Sequence, residues 1–176
     1  THNMSQQIYI QPNSWNTLLL AKDETIQMIN VAINNLEADD SIAIASKCIH
    51  ELNNDANIYI IASDTDYLQL LKPNLFIYTL KYKEIKESKT YHGDPDKYLF
   101  CKILMGDKID NIKSAFDKCG PKMADRCWLD EEYFREKLKN EDYEKRYNLN
   151  KRLISFDEIP KELVKDFINN NLNKLK

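Results

Sequence analysis

The chain has 176 residues, of which 43% are hydrophobic and 30% charged, as in a folded protein with one domain or a core with a small appended lobe. With only 3 glycines and 5 prolines, collagen-like and turn-dense all-β designs are excluded, and no apolar run approaches the roughly 20 residues that span a membrane. The four cysteines form no Cys-x-x-Cys pair and no signal-peptide pattern opens the chain, so we expect reduced thiols in an intracellular protein.

The net charge of −3 hides an uneven distribution. Seven of the 28 acidic residues lie in three short runs, and the remaining 21 are outnumbered by 25 basic residues. The three runs are residues 37–40, 64–66 and 106–110. A basic surface around an acid-lined site is what a metal-dependent nuclease needs, so the charge pattern is compatible with such an enzyme.

The first part of the chain predicts one short strand and two helices. Residues 7–10 read as the strand, and Asp23 reads as the cap of a helix whose apolar face carries Ile26, Ile29, Ala32 and Ile33. A second helix begins near Glu37, ends at residues 53–55 and buries a stripe made of Ile42, Ala45, Ile49 and Leu52.

Two runs that follow, residues 57–62 and 75–80, are continuous, apolar and β-favouring. This pattern predicts strands that are covered on both faces. A short helix is predicted between them, beginning at Thr65. The order helix, buried strand, short helix, buried strand predicts an α/β fold with a mainly parallel sheet.

The pattern becomes helical after Gly93, and we place a domain boundary near residue 92. Asp94 caps a helix that has Pro95 at its first position and ends at Gly106, with an apolar face made of Leu99, Phe100, Ile103 and Leu104. Further helices are predicted after the turn at residues 120–121, over residues 131–151 and after Pro160.

Asp64 and Asp66 follow directly on the stronger predicted strand. Ligands of α/β sheets gather beyond the carboxyl ends of strands, and divalent ions such as Mg²⁺ or Mn²⁺ prefer oxygen ligands. A helix cap at Asp64 would explain one of the two carboxylates but not Asp66. The pair therefore favours metal binding.

The other two acidic runs are weaker signals when each is taken alone. Glu37, Asp39 and Asp40 lie at a helix N-terminus, where acidic residues also stabilise the helix dipole. Asp107 and Asp110 are three residues apart, so the first turn of a helix would place them side by side. If the three runs converge, bound cations must relieve their repulsion, which is the logic of two-metal phosphodiester hydrolysis.

Gly120, Pro121 and Lys122 form a motif of a different kind. A glycine turn that leads into a helix exposes backbone N–H groups to an anion, and Lys122 adds a positive charge. Such an element holds a nucleic-acid backbone without reading its sequence. An ordinary helix start with a solvated lysine explains the same residues equally well.

Together these motifs resemble the 5′ nuclease family, the flap endonucleases and phage-type RNase H exonucleases. The resemblance covers residues 37–124 through EADD, SDTDYLQLL, GDKIDNI and CGPKMA, which stand in the family's order. Residues 150–160 are also similar to versions from large DNA viruses and phages. The resemblance implies a PIN-like α/β core over residues 1–92 and a helix-three-turn-helix lobe over residues 93–176.

The resemblance also implies a role for each acidic residue. Catalysis would rest on five metal-holding residues, Glu37, Asp39, Asp64, Asp66 and Asp107. The first metal site would contain Glu37 and Asp39, with Asp64 close to it. The second would contain Asp66, Asp107 and Asp110. Asp40 would be a further residue of the metal site, as an outer ligand.

The implied activity is that of a 5′-3′ exonuclease or structure-specific flap endonuclease that hydrolyses DNA with two Mg²⁺ or Mn²⁺ ions. The implied partners are flapped, branched or nicked duplex DNA and RNA–DNA hybrids. Gly120 and Lys122 would contact the duplex backbone. In some relatives this lobe also holds a K⁺ ion, near the segment that corresponds to residues 119–124.

Two features depart from the family pattern. Members open with a strand that carries an aspartate, followed by a helical arch, and residues 1–30 show no such pattern. Either the chain is a fragment that lacks this part, which we expect because it begins at Thr1, or this version lacks part of its first metal site. Residues 116–119 replace the usual glycine-rich turn before Gly120, which weakens the expectation of K⁺ more than that of phosphate contact.

Two other functions fit parts of the sequence. A haloacid-dehalogenase-type phosphatase also uses a strand-terminal Asp-x-Asp and a downstream acidic pair around Mg²⁺, but it leaves residues 37–40 and 120–122 unexplained. A structure-specific DNA-binding module that has lost catalysis would explain the missing N-terminal carboxylates. Assays for flap cleavage, for binding without cleavage and for p-nitrophenyl phosphate turnover separate the three.

Overall fold

The computed structural model describes residues 7–11, 17–22, 25–30, 36–81, 83–85 and 93–172. The strands are β1 (Gln7–Gln11), β2 (Thr17–Lys22), β3 (Thr25–Asn30), β4 (Asn57–Ile61) and β5 (Leu75–Tyr78). The helices are α1 (Ala38–Leu52), α2 (Pro95–Met105), α3 (Pro121–Leu129), α4 (Glu131–Leu138), α5 (Glu141–Ile154) and α6 (Lys161–Phe167). A 3₁₀ helix, Asp66–Leu70, follows β4, and a π-helical turn, Ile168–Leu172, follows α6. No helix in these ranges is both long and apolar enough to cross a membrane.

The chain forms two compact units. The sheet unit combines Thr1–Lys86 with Ile159–Lys176, and the helical unit is Glu87–Glu158. The predicted division into residues 1–92 and 93–176 differs from these units at the end of the chain, because α6 contacts α1 of the sheet unit. The predicted boundary near residue 92 itself lies outside the described residues.

Among the residues that the structure describes, the sheet unit contains five strands in the order β3-β2-β1-β4-β5. β4 pairs in parallel with both β1 and β5, and the predicted α/β fold is confirmed. β1 also confirms the strand predicted over residues 7–10. β2 and β3, which form an antiparallel ribbon beside β1, were not predicted.

The helix predicted after Asp23 is wrong for Thr25–Asn30, which forms β3. Ile26 and Ile29 have helical spacing, but three of the six residues in this segment are β-branched and the backbone pairs with β2 along its whole length. A local sequence pattern does not show whether a segment pairs with another strand. In this segment, that pairing determines the structure. Three residues of the predicted helix, Asp23, Ala32 and Ile33, lie outside the described residues.

α1 begins after Glu37, as predicted. Ile42, Ala45 and Ile49 of the predicted stripe are buried, whereas Leu52 is 62% exposed. Leu52 is the last residue of the helix, so it lies beyond the part of α1 that packs on the core. The buried surface therefore ends one turn earlier than the sequence pattern indicates.

β4 and β5 bury one face completely and the other face in part. Ile58 and Ile60 of β4 and Ile77 of β5 are inaccessible to solvent. On the opposite face, the half-buried rings of Tyr59 and Phe76 stack with their centroids 5.2 Å apart. The prediction of strands covered on both faces is therefore right for one face only, because this aromatic pair keeps some contact with water.

The helical unit begins with the predicted cap. Oδ1 of Asp94 accepts hydrogen bonds from the backbone N–H groups of Asp96 and Lys97, over 3.0 and 3.1 Å, and Pro95 occupies the first turn of α2. Gly106 ends this helix with a φ of 70°. These start and stop signals are local, which explains why the sequence predicts both ends of α2 correctly.

The single helix predicted over residues 131–151 is divided into α4 and α5. Oδ1 of Asn140 accepts hydrogen bonds from the N–H groups of Asp142 and Tyr143, over 3.0 and 3.2 Å. Asparagine is a strong helix N-cap, so α5 starts afresh inside a charged segment whose periodicity looks continuous.

Aromatic rings form the core between α2, α4 and α5. The ring of Phe134 lies 5.0 Å from that of Phe100 and 5.4 Å from that of Tyr147, centroid to centroid. Three free cysteines pack in the same core as small apolar residues, and burial raises the pKa of each thiol. They are Cys101, Cys119 and Cys127.

Candidate functional site

The N-terminus of α1 carries the first acidic run. The backbone N–H of Glu37 donates to Oδ2 of Asp40 over 3.3 Å, and the N–H of Asp40 donates to Oδ1 of Asp39 over 3.0 Å. Glu37 is exposed, while Asp39 and Asp40 are half-buried. Asp39 and Asp40 thus each accept a backbone N–H at the start of α1, and Glu37, Asp39 and Asp40 all stay candidate residues of a metal site.

The second acidic run leaves the sheet at the carboxyl end of β4. Ala62 still donates its N–H to the carbonyl oxygen of Tyr78 over 2.7 Å, and the chain then turns away from the sheet. Within the turn, Oδ1 of Asp64 accepts a hydrogen bond from the N–H of Asp66 over 2.9 Å. Both carboxylates therefore lie at the sheet edge where α/β proteins bind their ligands.

The charges of the first two acidic runs both act on the phenol of Tyr67. Its side chain is 2% exposed, and burial raises the pKa of its phenol. The negative charges of four carboxylates, Asp39, Asp64, Asp66 and Asp40, raise this pKa further. Burial and the charge of Asp39 also raise the pKa of Asp40. The two runs are therefore close enough to act on one hydroxyl group, and a bound cation would relieve the excess of negative charge.

The third acidic run forms a closed loop and not the predicted helical turn, but Asp107 and Asp110 still lie side by side, with carboxylate oxygens within 4.8 Å of each other. Asp107 and Ile112 exchange two backbone hydrogen bonds, of 3.0 and 2.7 Å, and Asn111 takes a φ of 57°. Gly106 opens the loop with positive φ, and a Cβ there would lie 2.4 Å from the carbonyl oxygen of Ile112. The tight closure of the loop, which requires this glycine, overrides the helical spacing.

Asp107 is held by both of its oxygens. Oδ1 accepts the N–H of Ile109 over 2.8 Å, and Oδ2 lies 3.2 Å from Nζ of Lys102, a residue of α2 that is 8% exposed. Burial raises the pKa of Asp107, but the contacts with Ile109 and Lys102, together with a hydrogen bond from the N–H of Asp110, outweigh it and hold the pKa below its usual value. Asp107 is thus a fixed carboxylate anion. Lys102 was not among the predicted site residues, although its place among apolar residues of α2 is a signal of burial.

Two polar residues of α5, also absent from the predicted site, hold the loop that precedes α3. Nη1 of Arg146 donates to the carbonyl oxygen of Ser114 over 3.3 Å. Nδ2 of Asn150, which is 3% exposed, donates to the carbonyl oxygens of Ile103 and Lys113 over 2.9 and 2.7 Å. The spacing of four residues, which places Arg146 and Asn150 on one helix face, is the only sequence signal for this role.

A cavity of 730 Å³ lies between the loops of the helical unit. Arg146, Asp107 and Asp117 contribute to its wall, together with three exposed lysines, Lys108, Lys113 and Lys118. Positive side chains outnumber negative ones in this wall by four to two, which favours anions such as phosphate.

Gly120 and Lys122 stand at the start of α3, as predicted. The carbonyl oxygen of Gly120 accepts the N–H groups of Met123 and Ala124, each over 3.0 Å, and Pro121 opens the helix. Lys122 is exposed in the first turn. A helix N-terminus with one positive side chain is suited to a backbone phosphate.

Two curated proteins are similar to this chain in sequence. DNA polymerase I of Rhizobium leguminosarum is 31% identical over 107 residues, which make up 58% of this chain and 10% of that protein. A 5′-3′ exonuclease of Mycoplasmopsis pulmonis (strain UAB CTIP) is 28% identical over 116 residues, or 62% of this chain and 38% of that protein. A model of a family of unknown function, DUF7935, matches residues 1–69.

Solved structures from T5 are similar in fold. A mutant of T5 5′-exonuclease matches with a TM-score of 0.60 and 16% identity, over 78% of this chain and 66% of that chain. A bacteriophage T5 flap endonuclease in complex with DNA and metal ions matches with a TM-score of 0.57 and 19% identity, over 78% of this chain and 59% of that chain. The chain has the fold of the 5′ nucleases. The resemblance indicated by the acidic motifs is thereby confirmed.

The chain spans only part of the length of these similar proteins, 10% and 38% of the two curated proteins and 66% and 59% of the two T5 chains. At 16% and 19% identity, the structural similarity establishes the 5′ nuclease fold. The chemistry of this chain is inferred from its own side chains.

Proposed function

We propose that this chain acts as a divalent-metal-dependent 5′ nuclease that hydrolyses DNA phosphodiester bonds. The proposed substrates are flapped, branched or nicked duplexes and RNA–DNA hybrids, cut by 5′-3′ exonuclease or flap endonuclease action. The observation that carries the proposal is the contact of α1 with the 3₁₀ helix that follows β4, which brings the acidic runs of residues 37–40 and 64–66 near the buried Tyr67, in a chain with the fold of the 5′ nucleases.

The donor set fits two Mg²⁺ or Mn²⁺ ions, because hard cations prefer carboxylate oxygens. When bound, the ions would activate a water molecule and stabilise the charge that develops on the phosphate and the leaving 3′ oxygen. The proposed ligands are Glu37 and Asp39, with Asp64 close to them, for one ion and Asp66, Asp107 and Asp110 for the other. Asp40 supports the first group from the helix cap. No side chain needs to act as a covalent nucleophile.

The start of α3 is the proposed duplex contact. The helix N-terminus at Gly120 and the ammonium group of Lys122 would bind backbone phosphates, so this contact would not depend on base sequence. The lysine-rich wall of the 730 Å³ cavity extends the positive surface of the same unit.

The K⁺ ion that the resemblance implies for this lobe stays a prediction. Within the altered turn, the carbonyl oxygen of Phe116 already accepts hydrogen bonds from Oγ of Ser114 and from the N–H of Cys119, over 2.8 and 3.2 Å. Duplex binding in KCl, compared with choline chloride at equal ionic strength, tests the ion. Tighter binding in KCl supports it, and equal affinities contradict it.

Cleavage of a labelled 5′-flap duplex by the 176-residue chain tests the proposed activity. We expect cleavage with Mg²⁺ or Mn²⁺, none with EDTA, and a 5′-phosphate on the product. Binding without cleavage would instead support an inactive DNA-binding module. Turnover of p-nitrophenyl phosphate without cleavage would support a phosphatase. Either result contradicts the proposal.

A further inference from the structure

Lys102 is a charged residue in an apolar environment. It is 8% exposed, and its chain neighbours Cys101 and Ile103 are 5% and 3% exposed. Removing an ammonium group from water costs free energy, which a methionine at the same position would not incur. The position of Lys102 therefore needs an explanation other than packing.

The contact of Lys102 with Asp107 is not required to close the acidic loop. The two backbone hydrogen bonds between Asp107 and Ile112 and the positive φ of Gly106 already fix the path of the chain. The bond from the N–H of Ile109 holds Oδ1 of Asp107. The ammonium group of Lys102 lies 3.2 Å from the other oxygen, Oδ2. Lys102 thus acts on the orientation and the charge of the Asp107 carboxylate.

We propose that Lys102 is a positioning residue that holds the carboxylate of Asp107 in one orientation for a divalent ion. The inference rests on the proposed function, because it takes Asp107 to be a metal ligand. The carboxylate of Asp107 accepts hydrogen bonds from the N–H groups of Ile109 and Asp110 and from Lys102. A carboxylate has about four lone-pair sites, so these three contacts leave one for a metal ion. Loss of a residue that orients a ligating side chain typically weakens metal binding or activity by about 10- to 100-fold.

Two substitutions separate the orientation of Asp107 from simple packing. Lys102→Met keeps an unbranched apolar side chain but removes the charge and the donor, whereas Lys102→Gln keeps a donor without the charge. Lys97→Met is the matched control, because Lys97 belongs to the same helix and pairs with Asp125 over 2.5 Å, away from Asp107.

Three measurements are made on the 176-residue chain. They are Mn²⁺ affinity by electron paramagnetic resonance, the Mg²⁺ concentration for half-maximal flap cleavage, and duplex binding in EDTA. For Lys102→Met we expect Mn²⁺ affinity to fall about 10- to 100-fold, the Mg²⁺ requirement to rise by a similar factor and duplex binding to stay unchanged. Lys102→Gln should lose less Mn²⁺ affinity than Lys102→Met, and Lys97→Met should match the wild type in all three measurements.

A folded Lys102→Met variant whose Mn²⁺ affinity equals that of the wild type would overturn the inference. If that variant does not fold, as judged by circular dichroism, Lys102→Gln decides by the same criterion. A wild-type chain that binds no Mn²⁺ also overturns it. If Mn²⁺ binding depends on Lys102 but the wild type cuts no DNA, the proposed function fails and the role of Lys102 stands.

Discussion

Oδ1 of Asp64 accepts a hydrogen bond from the N–H of Asp66 over 2.9 Å, so the two acidic side chains that follow β4 belong to one turn. An asparagine amide oxygen accepts the same bond, so Asp64→Asn keeps the turn and removes the charge. We expect Asp64→Asn and Asp66→Asn each to slow flap cleavage by at least about 100-fold, with unchanged duplex binding, because each substitution removes a proposed metal ligand. Single-turnover cleavage and fluorescence anisotropy measure the two quantities.

Asp55→Asn is the matched control for these variants. Asp55 is exposed in the turn that enters β4, at the opposite end of the strand from Asp64. This variant should cleave like the wild type. Wild-type cleavage by Asp64→Asn or Asp66→Asn would contradict a metal-binding role for that residue.

Lys122→Ala should weaken duplex binding to a similar extent for every DNA sequence. The loss of one phosphate contact should also reduce the slope of log affinity against log salt concentration by about one. Titrations of two unrelated duplexes at several NaCl concentrations check both effects. Lys139→Ala, which removes an exposed lysine paired with Glu136 at the end of α4, should leave the slope unchanged. An unchanged slope for Lys122→Ala would exclude the proposed contact.

Gly106→Ala should destabilise the loop that carries Asp107. The added Cβ meets the carbonyl oxygen of Ile112 at 2.4 Å, at a residue whose φ is 70°. We expect a loss of at least about 1–3 kcal/mol in the free energy of unfolding by urea. Gly120→Ala is the control, because a Cβ there meets nothing within 4 Å and the residue has negative φ. Equal stabilities of the two variants would show that the loop can rearrange.

Asp117 should make stability depend on pH. Hydrogen bonds from Arg146 and then from Tyr143 lower the pKa of Asp117 below its ordinary value of 3.8. Because the pKa of Asp117 is lower in the folded chain than in the unfolded chain, its charge stabilises the fold fully at pH values above the unfolded pKa. This stabilisation is lost as the pH falls through the folded pKa. Asp117→Asn should thus be less stable than the wild type at about pH 6, and this difference should shrink at about pH 3. Urea unfolding at both pH values measures it, and a constant difference would contradict the role of the charge.

Short-range signals made much of the fold predictable. The caps at Glu37 and Asp94, the glycine stop at Gly106 and the apolar run that became β4 each act within a few residues, and each agrees with the structure. β3 could not be predicted in this way, because its pairing with β2 outweighs the helical spacing of its isoleucines.

The supporting residues of the site depend on contacts between distant parts of the chain. Asn150 donates to carbonyl oxygens that lie 47 and 37 residues away in sequence, and Arg146 donates to one that lies 32 residues away. In a charged helical segment such residues resemble solvated side chains. The acidic runs were recognisable because several carboxylates in a few residues are unusual whatever the fold, whereas a single buried lysine such as Lys102 is not conspicuous.

Our proposal that Asp66 and Asp107 share one metal ion is tested most directly by Mn²⁺ binding to a double-mutant cycle. The cycle comprises the wild type, Asp66→Asn, Asp107→Asn and the double variant. If both side chains hold the same ion, each single substitution removes that ion and the double substitution adds little further loss. Losses of binding free energy that add in full across the cycle would show independent sites and contradict the proposed metal centre.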